Sequence, residues 1–200
     1  MIEELLVGKE HSVEVLIENG NYHILAISDK VKTPYPYRVD KEVVYPTELI
    51  DDDLNLLKKA IVKAIKVLNI DIGAAHLEIC STNDGRYVPF EVGARCGGGG
   101  TPNPIIKYAT GIDMMVELCM ILLGEKNISD LKKELTCKNC VYHFITPEAG
   151  IVKNINKNIL KTDNKVLDFD IFLKEGNLAK QVKEGPDRAG FVIYADRHFN

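Results

Sequence analysis

Tryptophan is absent from these 200 residues, aromatic side chains make up only 7 %, and no apolar run approaches the ~20 residues of a membrane-spanning helix. The amino terminus lacks the basic-then-apolar pattern of a signal peptide, so residence in the cytoplasm, away from any membrane, is the expectation. Basic residues are neither in excess nor clustered. The net charge is −4 and the pI near 5.8, which leaves no electrostatic footprint for nucleic acid. The five cysteines are odd in number and follow no disulfide spacing. Cys137-Lys-Asn-Cys140 is a single CxxC without a second pair, so both thiols are read as reduced and not as a zinc or redox site. Two nucleotide signatures are missing as well: the Gly-Lys-Ser/Thr of a Walker loop and the GxGxxG that opens a dinucleotide-binding helix. What remains is a chain long enough for one or two lobes with a real core.

Residues 75–92 alternate apolar and polar side chains on both sides of Asp84-Gly85, a strong hairpin signal. With Asp84-Gly85 as a two-residue turn, cross-strand partners have numbers summing to 169. Glu78 and Glu91 then face each other at a non-hydrogen-bonded position, with Cα atoms roughly 4.5 Å apart. The same count assigns Leu77, Ile79, Val88, Phe90 and Val92 to the buried face, and His76, Glu78, Glu91 and Arg95 to the polar one. Pro89 cannot donate to a ladder, so an edge strand or a bulge is expected there. Like charges set directly opposite destabilise a bare sheet. A divalent cation turns that repulsion into coordination, because Mg²⁺ takes oxygen ligands from one or two carboxylates together with substrate phosphates. The alternative is a solvated sheet face carrying two acids by chance. His76, on the same face, is read as a structural hydrogen-bonding residue.

Straight after the polar strand comes Arg95-Cys-Gly-Gly-Gly-Gly-Thr-Pro-Asn-Pro104, then an apolar helical run from Ile105 through Gly111 to Leu123. Four successive glycines are costly to order, and such a loop suits a close approach of backbone to a phosphate, a moving lid, or a merely flexible connection.

These residues carry a resemblance. His76-Leu-Glu78, Phe90-Glu-Val-Gly-Ala-Arg95, the glycine run and Gly111-Ile-Asp113 resemble the metal-binding core of the ATP-grasp ligases, most closely the branch with L-amino-acid ligases, biotin carboxylase and carbamoyl-phosphate synthetase. The resemblance implies Glu78 and Glu91 as ligands of magnesium (or manganese) bridging the ATP phosphates, and Arg95 as the catalytic arginine that steadies an acyl-phosphate and the incoming substrate. Many family members carry an asparagine two residues after the second acid; here that place is Gly93, so a second metal would be held more weakly. Residues 1–14 are similar to the family's hinge, which implies Glu3, Glu4 and Leu6 at the adenine and Glu10 at the ribose. Ser12–Ile17 and Tyr22–Ser28 form a second hairpin around Asn19-Gly20, with Val13, Val15 and Ile17 opposite Ala26, Ile24 and Tyr22. Lys30 at its end matches a basic residue near the phosphates, a solvated loop lysine being the alternative.

The expected fold is α+β: an antiparallel sheet with packed helices, similar to the C-terminal half of the ATP-grasp fold, over residues 1–136, and a small β-rich tail over 137–200. Between the hairpins a loop with Pro34, Pro36 and Pro46 leads to a helix near Asp51–Leu68, its stripe formed by Leu54, Leu57, Ile61, Ala64, Ile65 and Leu68. A helix around Asp113–Leu123 is ended by Gly124, with Met114, Met115, Leu118 and Leu122 read as core. Strands are expected at Val141–Thr146, Gly150–Val152 and after Pro186, while Asn154–Asn164 reads as a polar, turn-like excursion. The implied activity is an ATP-dependent, Mg-requiring ligation of a small carboxylate to an amine or thiol through an acyl-phosphate. A homodimer is compatible with it. The glycine-rich phosphate loop of the family's upstream half has no counterpart here, so the 200 residues alone are expected to be inactive. A non-catalytic nucleotide- or partner-binding module is the other reading.

Overall fold

Asn19 and Gly20 both adopt positive φ (49° and 72°), the left-handed pair that a two-residue hairpin turn requires, and so fold β1 (Gly8–Glu18) onto β2 (Asn21–Lys32). The computed structural model describes residues 2–98, 102–132 and 139–196. Met1, Gly99, Gly100, Thr101, Cys137 and the boundary expected at 136/137 lie outside the described residues. Ile17 pairs with Tyr22 and Val15 with Ile24 as counted from the turn. A bulge then shifts the register, so Val13 faces Ile27 and not Ala26.

The proline-flanked stretch is not all loop. It contains β3 (Asp40–Tyr45), which pairs with β2 on one side. The helix α1 follows at Asp51–Val67, with Asp51, Asp52 and Asp53 in its first turn, where acids favour the positive end of the helix dipole. Leu57, Ile61 and Ile65 form its buried stripe, Leu54 and Ala64 flank it, and Leu68 is exposed beyond the last turn. Next come β4 (Gly73–Thr82) and β5 (Tyr87–Gly93), then α2 (Pro102–Thr110) and α3 (Met114–Leu122). The single apolar run from Ile105 to Leu123 is thus two helices. Gly111 (φ 72°) separates them and Asp113 caps the second through its Oδ1. Met114 is fully buried and Leu118 packs on the core, but Met115 and Leu122 point outward and Ile121 takes the inner position.

The remaining elements are β6 (Asn139–Ile145), β7 (Gly150–Ile151), the short α4 (Asn158–Thr162), β8 (Val166–Ile171), β9 (Leu178–Ala179) and β10 (Gly190–Asp196). The stretch read as a turn-like excursion therefore holds one helical turn. Eight strands form one antiparallel sheet in the order β5-β4-β1-β2-β3-β6-β10-β8, and β7 pairs with β9 separately. β3 joins β2 to β6, so the sheet runs without interruption from the first hairpins into the C-terminal strands.

Alternation along β1 decides what each face of the sheet receives. Val13, Val15 and Ile17 pack with Leu77, Ile79 and α1 on one side. Leu16, Val43, Tyr142, Phe144 and Ile193 pack with α2 and α3 on the other. Ser12, Glu14 and Lys30 share that second face with Glu78.

Candidate functional site

The β4–β5 hairpin reaches the expected pairing by an unexpected route. Its turn is a three-residue loop, Asn83-Asp84-Gly85, in which Gly85 (φ 85°) donates its N–H to the Thr82 carbonyl at 2.9 Å. Near the turn the partners are Ser81–Tyr87, Cys80–Val88 and Ile79–Pro89, one residue off the two-residue count. A bulge at Phe90 restores it, so Glu78 faces Glu91 and Leu77 faces Val92. Between turn and bulge the strand is therefore flipped relative to the simple alternation. Val88 sits opposite Cys80 instead of joining Leu77 and Ile79, Tyr87 packs on that core in its place, and Phe90 is 45 % exposed. Pro89 lies on an edge strand next to the bulge, where its missing donor is tolerated.

Glu78 and Glu91 both line a cavity of about 240 Å³ with Ser12, Lys30, His76 and Arg95. Larger grooves of about 640 and 960 Å³ run beside α1 on the opposite face, but they are lined by Tyr22, Ile24 and helix lysines and hold no facing carboxylates. Lys30 is no loop lysine: it stands in β2, its side chain is 4 % exposed, and it binds Glu78 and, at 3.3 Å, Asp40. His76 hydrogen-bonds Glu14 through Nδ1 at 2.5 Å and faces Glu78 through Nε2 at 3.6 Å. Burial opposes a charged imidazole, but the bonds to Glu14 and Glu78 outweigh it and push the His76 pKa up to about 9. Burial likewise opposes the Glu78 carboxylate, and His76 and Lys30 outweigh it, bringing its pKa down to about 2. For Glu14, burial wins over the His76 bond and its pKa rises.

Arg95, just past β5, is half exposed, 3.6 Å from Glu91, and donates to the Cys96 carbonyl at 2.9 Å. The glycine run begins on this network. Gly97 N–H donates to Glu14 Oε2 at 3.2 Å, and a Cβ on Gly97 would sit 2.4 Å from Glu14 Oε1 and 2.7 Å from His76 Nδ1. Only glycine lets the backbone pass there.

The residues implied at the adenine and ribose lie on the segment entering β1. Glu3 and Glu4 are exposed, Leu6 is half buried, and Glu4 is held by Arg86 of the hairpin turn at 2.7 and 3.2 Å. Glu10 binds Lys32 and, at 2.9 Å, Arg38, and these two cations outweigh burial to lower its pKa. Lys32 is also 3.4 Å from Asp40, so an unbroken row of alternating charge crosses β1–β4: Glu10, Lys32, Asp40, Lys30, Glu78, His76, Glu14. The structure thus gathers Lys30, Glu78, Glu91 and Arg95 round one cavity, and ties Glu10 to them through the charge row. Sequence reasoning does not single out Glu14, Lys32 or Asp40 of this row, nor Arg188, which lines the cavity. For Glu14 a signal existed: Glu10, Ser12 and Glu14 alternate with buried valines, which puts them on one face. Among the described residues no three His, Cys, Asp or Glu side chains form a metal-binding group, so an ion at Glu78 and Glu91 needs further oxygens from phosphate or water.

The sheet and its acidic hairpin are those of an ATP-grasp protein. The model of the ATP-grasp domain matches residues 1–103, and the chain belongs to that family. Its structure superposes on the L-amino acid ligase from Bacillus licheniformis with a TM-score of 0.85 at 25 % identity, covering 98 % of this chain and 48 % of that one. It is similar in fold to phosphoribosylglycinamide synthetase from Anaerococcus prevotii (TM-score 0.77, 18 % identity, 98 % and 50 % covered). The same holds for biotin carboxylase from Campylobacter jejuni (0.67, 15 %, 97 % and 43 %). The chain spans about half the length of these structures. No curated protein sequence matches it.

Proposed function

We propose that this chain is the metal- and acyl-phosphate-handling part of an ATP-dependent ligase that joins a small carboxylate to an amine or thiol. The observation that carries this reading is the convergence of Glu78, Glu91, Lys30 and Arg95 on one cavity of an ATP-grasp sheet. A substrate carboxylate oxygen bonds to the γ-phosphorus as the β–γ bridge breaks and ADP leaves. The amine nitrogen then attacks the acyl carbon, phosphate departs, and the amine gives up a proton. Glu78 and Glu91 fit Mg²⁺ or Mn²⁺: both offer hard oxygens from one ladder position, and Glu78 stays ionised at any physiological pH. When bound, the ion neutralises phosphate charge and holds the oxygens in line.

Lys30 adds a buried positive charge beside the phosphates. Arg95, free of any tight ion pair, offers a planar fork to the acyl-phosphate. Glu3, Glu4 and Leu6 face the adenine and Glu10 the ribose, Glu10 giving up Arg38 to do so. Gly93 brings no side-chain oxygen, so a second ion is held by water and substrate.

Calorimetric titration of ADP into the 200-residue chain tests the proposal. Weak binding that needs Mg²⁺ and is lost in Glu78→Gln and Glu91→Gln is expected. Metal-independent binding unaffected by either substitution refutes the assigned site. Substrate-dependent ADP release at enzyme-like rates by these residues alone would contradict their expected inactivity.

A further inference from the structure

On the face of the sheet away from the carboxylates, α1 lies against β4 and β5 and leaves part of β2 open beside it, where Tyr22 is 42 % exposed. A trough of about 960 Å³ runs there between Tyr22 and Ile24 on the strand side and α1 on the other, and it meets the groove of about 640 Å³ at Tyr22, Ile24 and Lys58. Leu56, Lys59, Lys63, Lys66 and Val67 line its helical wall at i, i+3, i+7, i+10 and i+11, which makes one stripe about 16 Å long. Leu56 and Val67 are exposed apolar side chains at its two ends. Among the described residues none of Lys58, Lys59, Lys63 and Lys66 forms an ion pair, whereas Lys30 and Lys32 on the other face each hold two carboxylates. Asp52 is the one acid among the described residues that line the trough, so four lysines leave it three net positive charges on a chain of net −4.

We propose that this trough docks a partner protein through an acidic amphipathic helix, whose carboxylates meet Lys59, Lys63 and Lys66 while its apolar side chains lie over Tyr22, Leu56 and Val67. Charge complementarity selects that occupant. A purely apolar segment would desolvate the lysines without giving them partners, whereas acids at helical spacing match lysines at i, i+4 and i+7. Asp51, Asp52 and Asp53 close the amino-terminal end of the row, so they repel acids there and confine the partner's acidic stretch to residues 58–66. The same aspartates, with the net charge of −4, oppose a nucleic-acid backbone. A flat bilayer does not reach into a trough floored by half-buried Ile24, and two copies packed through α1 would set one lysine row against the other. The docking is independent of the ligase reading, because α1 and the carboxylate cavity lie on opposite faces of the sheet.

The test uses the whole chain without nucleotide and follows the fluorescence anisotropy of a labelled helical peptide of about 16 residues, with glutamates at i, i+4, i+7 and i+11 and leucines on the adjoining face. The controls are a scramble of the same composition and a peptide with lysine for every glutamate. The acidic peptide should bind wild type about tenfold or more tightly than its scramble, and less tightly as salt rises from about 50 to about 300 mM. Lys59→Glu with Lys63→Glu should lose that advantage and gain the lysine peptide instead. Lys59→Gln with Lys63→Gln should weaken the acidic peptide without gaining the other, and this pair reads the same contact should the reversed one not fold. An acidic peptide that binds no better than its scramble overturns the proposal, as does a preference that survives both lysine pairs. Tighter binding of phosphatidylserine vesicles or single-stranded DNA, lost in the same variants, replaces the partner protein with a membrane or a nucleic acid. Sedimentation showing a dimer of wild type that either lysine pair alters assigns the trough to a second copy and equally overturns it.

Discussion

Glutamine in place of Glu78 or Glu91, one at a time, separates two acids that share a ladder position but not an environment. Glu78 is 18 % exposed in its side chain and holds Lys30, with His76 on its other side. Its pKa, brought from 4.5 to about 2, corresponds to about 3 kcal/mol of folded-state preference for the charged form at neutral pH. Because the folded value lies below the unfolded one, that stabilisation is present above pH 4.5 and is lost as the pH falls through about 2. Glu78→Gln gives up most of it and leaves the buried Lys30 with Asp40 alone. For a chain of 200 residues this lowers the apo Tm by about 6–10 °C. Glu91 is 54 % exposed and has only Arg95 at 3.6 Å, so Glu91→Gln shifts apo stability by less than about 0.5 kcal/mol, slightly upward where like-charge repulsion is relieved. Circular-dichroism melts at pH 7.5, repeated from pH 4.5 down toward about 2, measure both, and the Glu78→Gln deficit should narrow over that acid range. With ADP·Mg added, both variants should lose the ligand-induced rise of wild type. Equal apo Tm values for the two variants would refute the charge assignment.

Asp29, on the α1 face, accepts from His11 (2.8 Å), Thr47 (2.6 Å) and the Glu48 N–H (3.0 Å) and pairs with Lys9. Despite its burial, these partners hold its pKa well below the carboxylate range. Asp29→Asn should therefore cost about 2–4 kcal/mol in urea unfolding at pH 7, and the deficit should shrink as the pH drops below the ordinary 3.8; a gap that persists in acid contradicts this. Gly97→Ala drives a Cβ into Glu14 and His76 and should cost about 1–3 kcal/mol, whereas Gly98→Ala, with nothing within 4 Å of its Cβ, should melt like wild type. Arg95→Lys should leave the apo Tm unchanged but weaken acetyl phosphate, measured with ADP·Mg present, about tenfold; equal affinity argues against a fork contact.

The pairing of Glu78 with Glu91 was legible because two offsets of one residue cancel: the three-residue turn at Asn83–Gly85 and the bulge at Phe90. Between them the alternation misassigned Val88 and Phe90. The bulge answers to the edge position beside Pro89, which no local pattern encodes. β3 was hidden among prolines for a related reason. Its short run is stabilised by β2 and β6, one of them nearly a hundred residues away along the chain. With β3 went Asp40, and with Asp40 the link between Glu10 and Lys30. The stripe of α1, which depends on local period alone, was legible except at Leu68, which is exposed, whereas half of the α3 stripe was misassigned, Met115 and Leu122 pointing outward and Ile121 inward.

The facing acids have counter-ions of their own within the fold. Lys30 and His76 offset the charge of Glu78, and Arg95 approaches Glu91, so the hairpin has its counter-ions before any ligand arrives. A cation bridging the two carboxylates must therefore share Glu78 with Lys30, a partly buried contact that water does not replace well. Two carboxylates, one of them already engaged, make a poor site for an ion that gives up its water reluctantly. Phosphate oxygens change the balance, because they complete the coordination sphere and give Lys30 a second anion to hold. Mg²⁺ alone should therefore bind the chain weakly, and Mg²⁺ with ADP much more tightly than either component, by about tenfold or more. Titrations of Mn²⁺ followed by water-proton relaxation, with and without ADP, read this coupling directly. Tight binding of the bare ion would mean that Lys30 yields Glu78 freely, and the charge row would then not be the element that tunes the site.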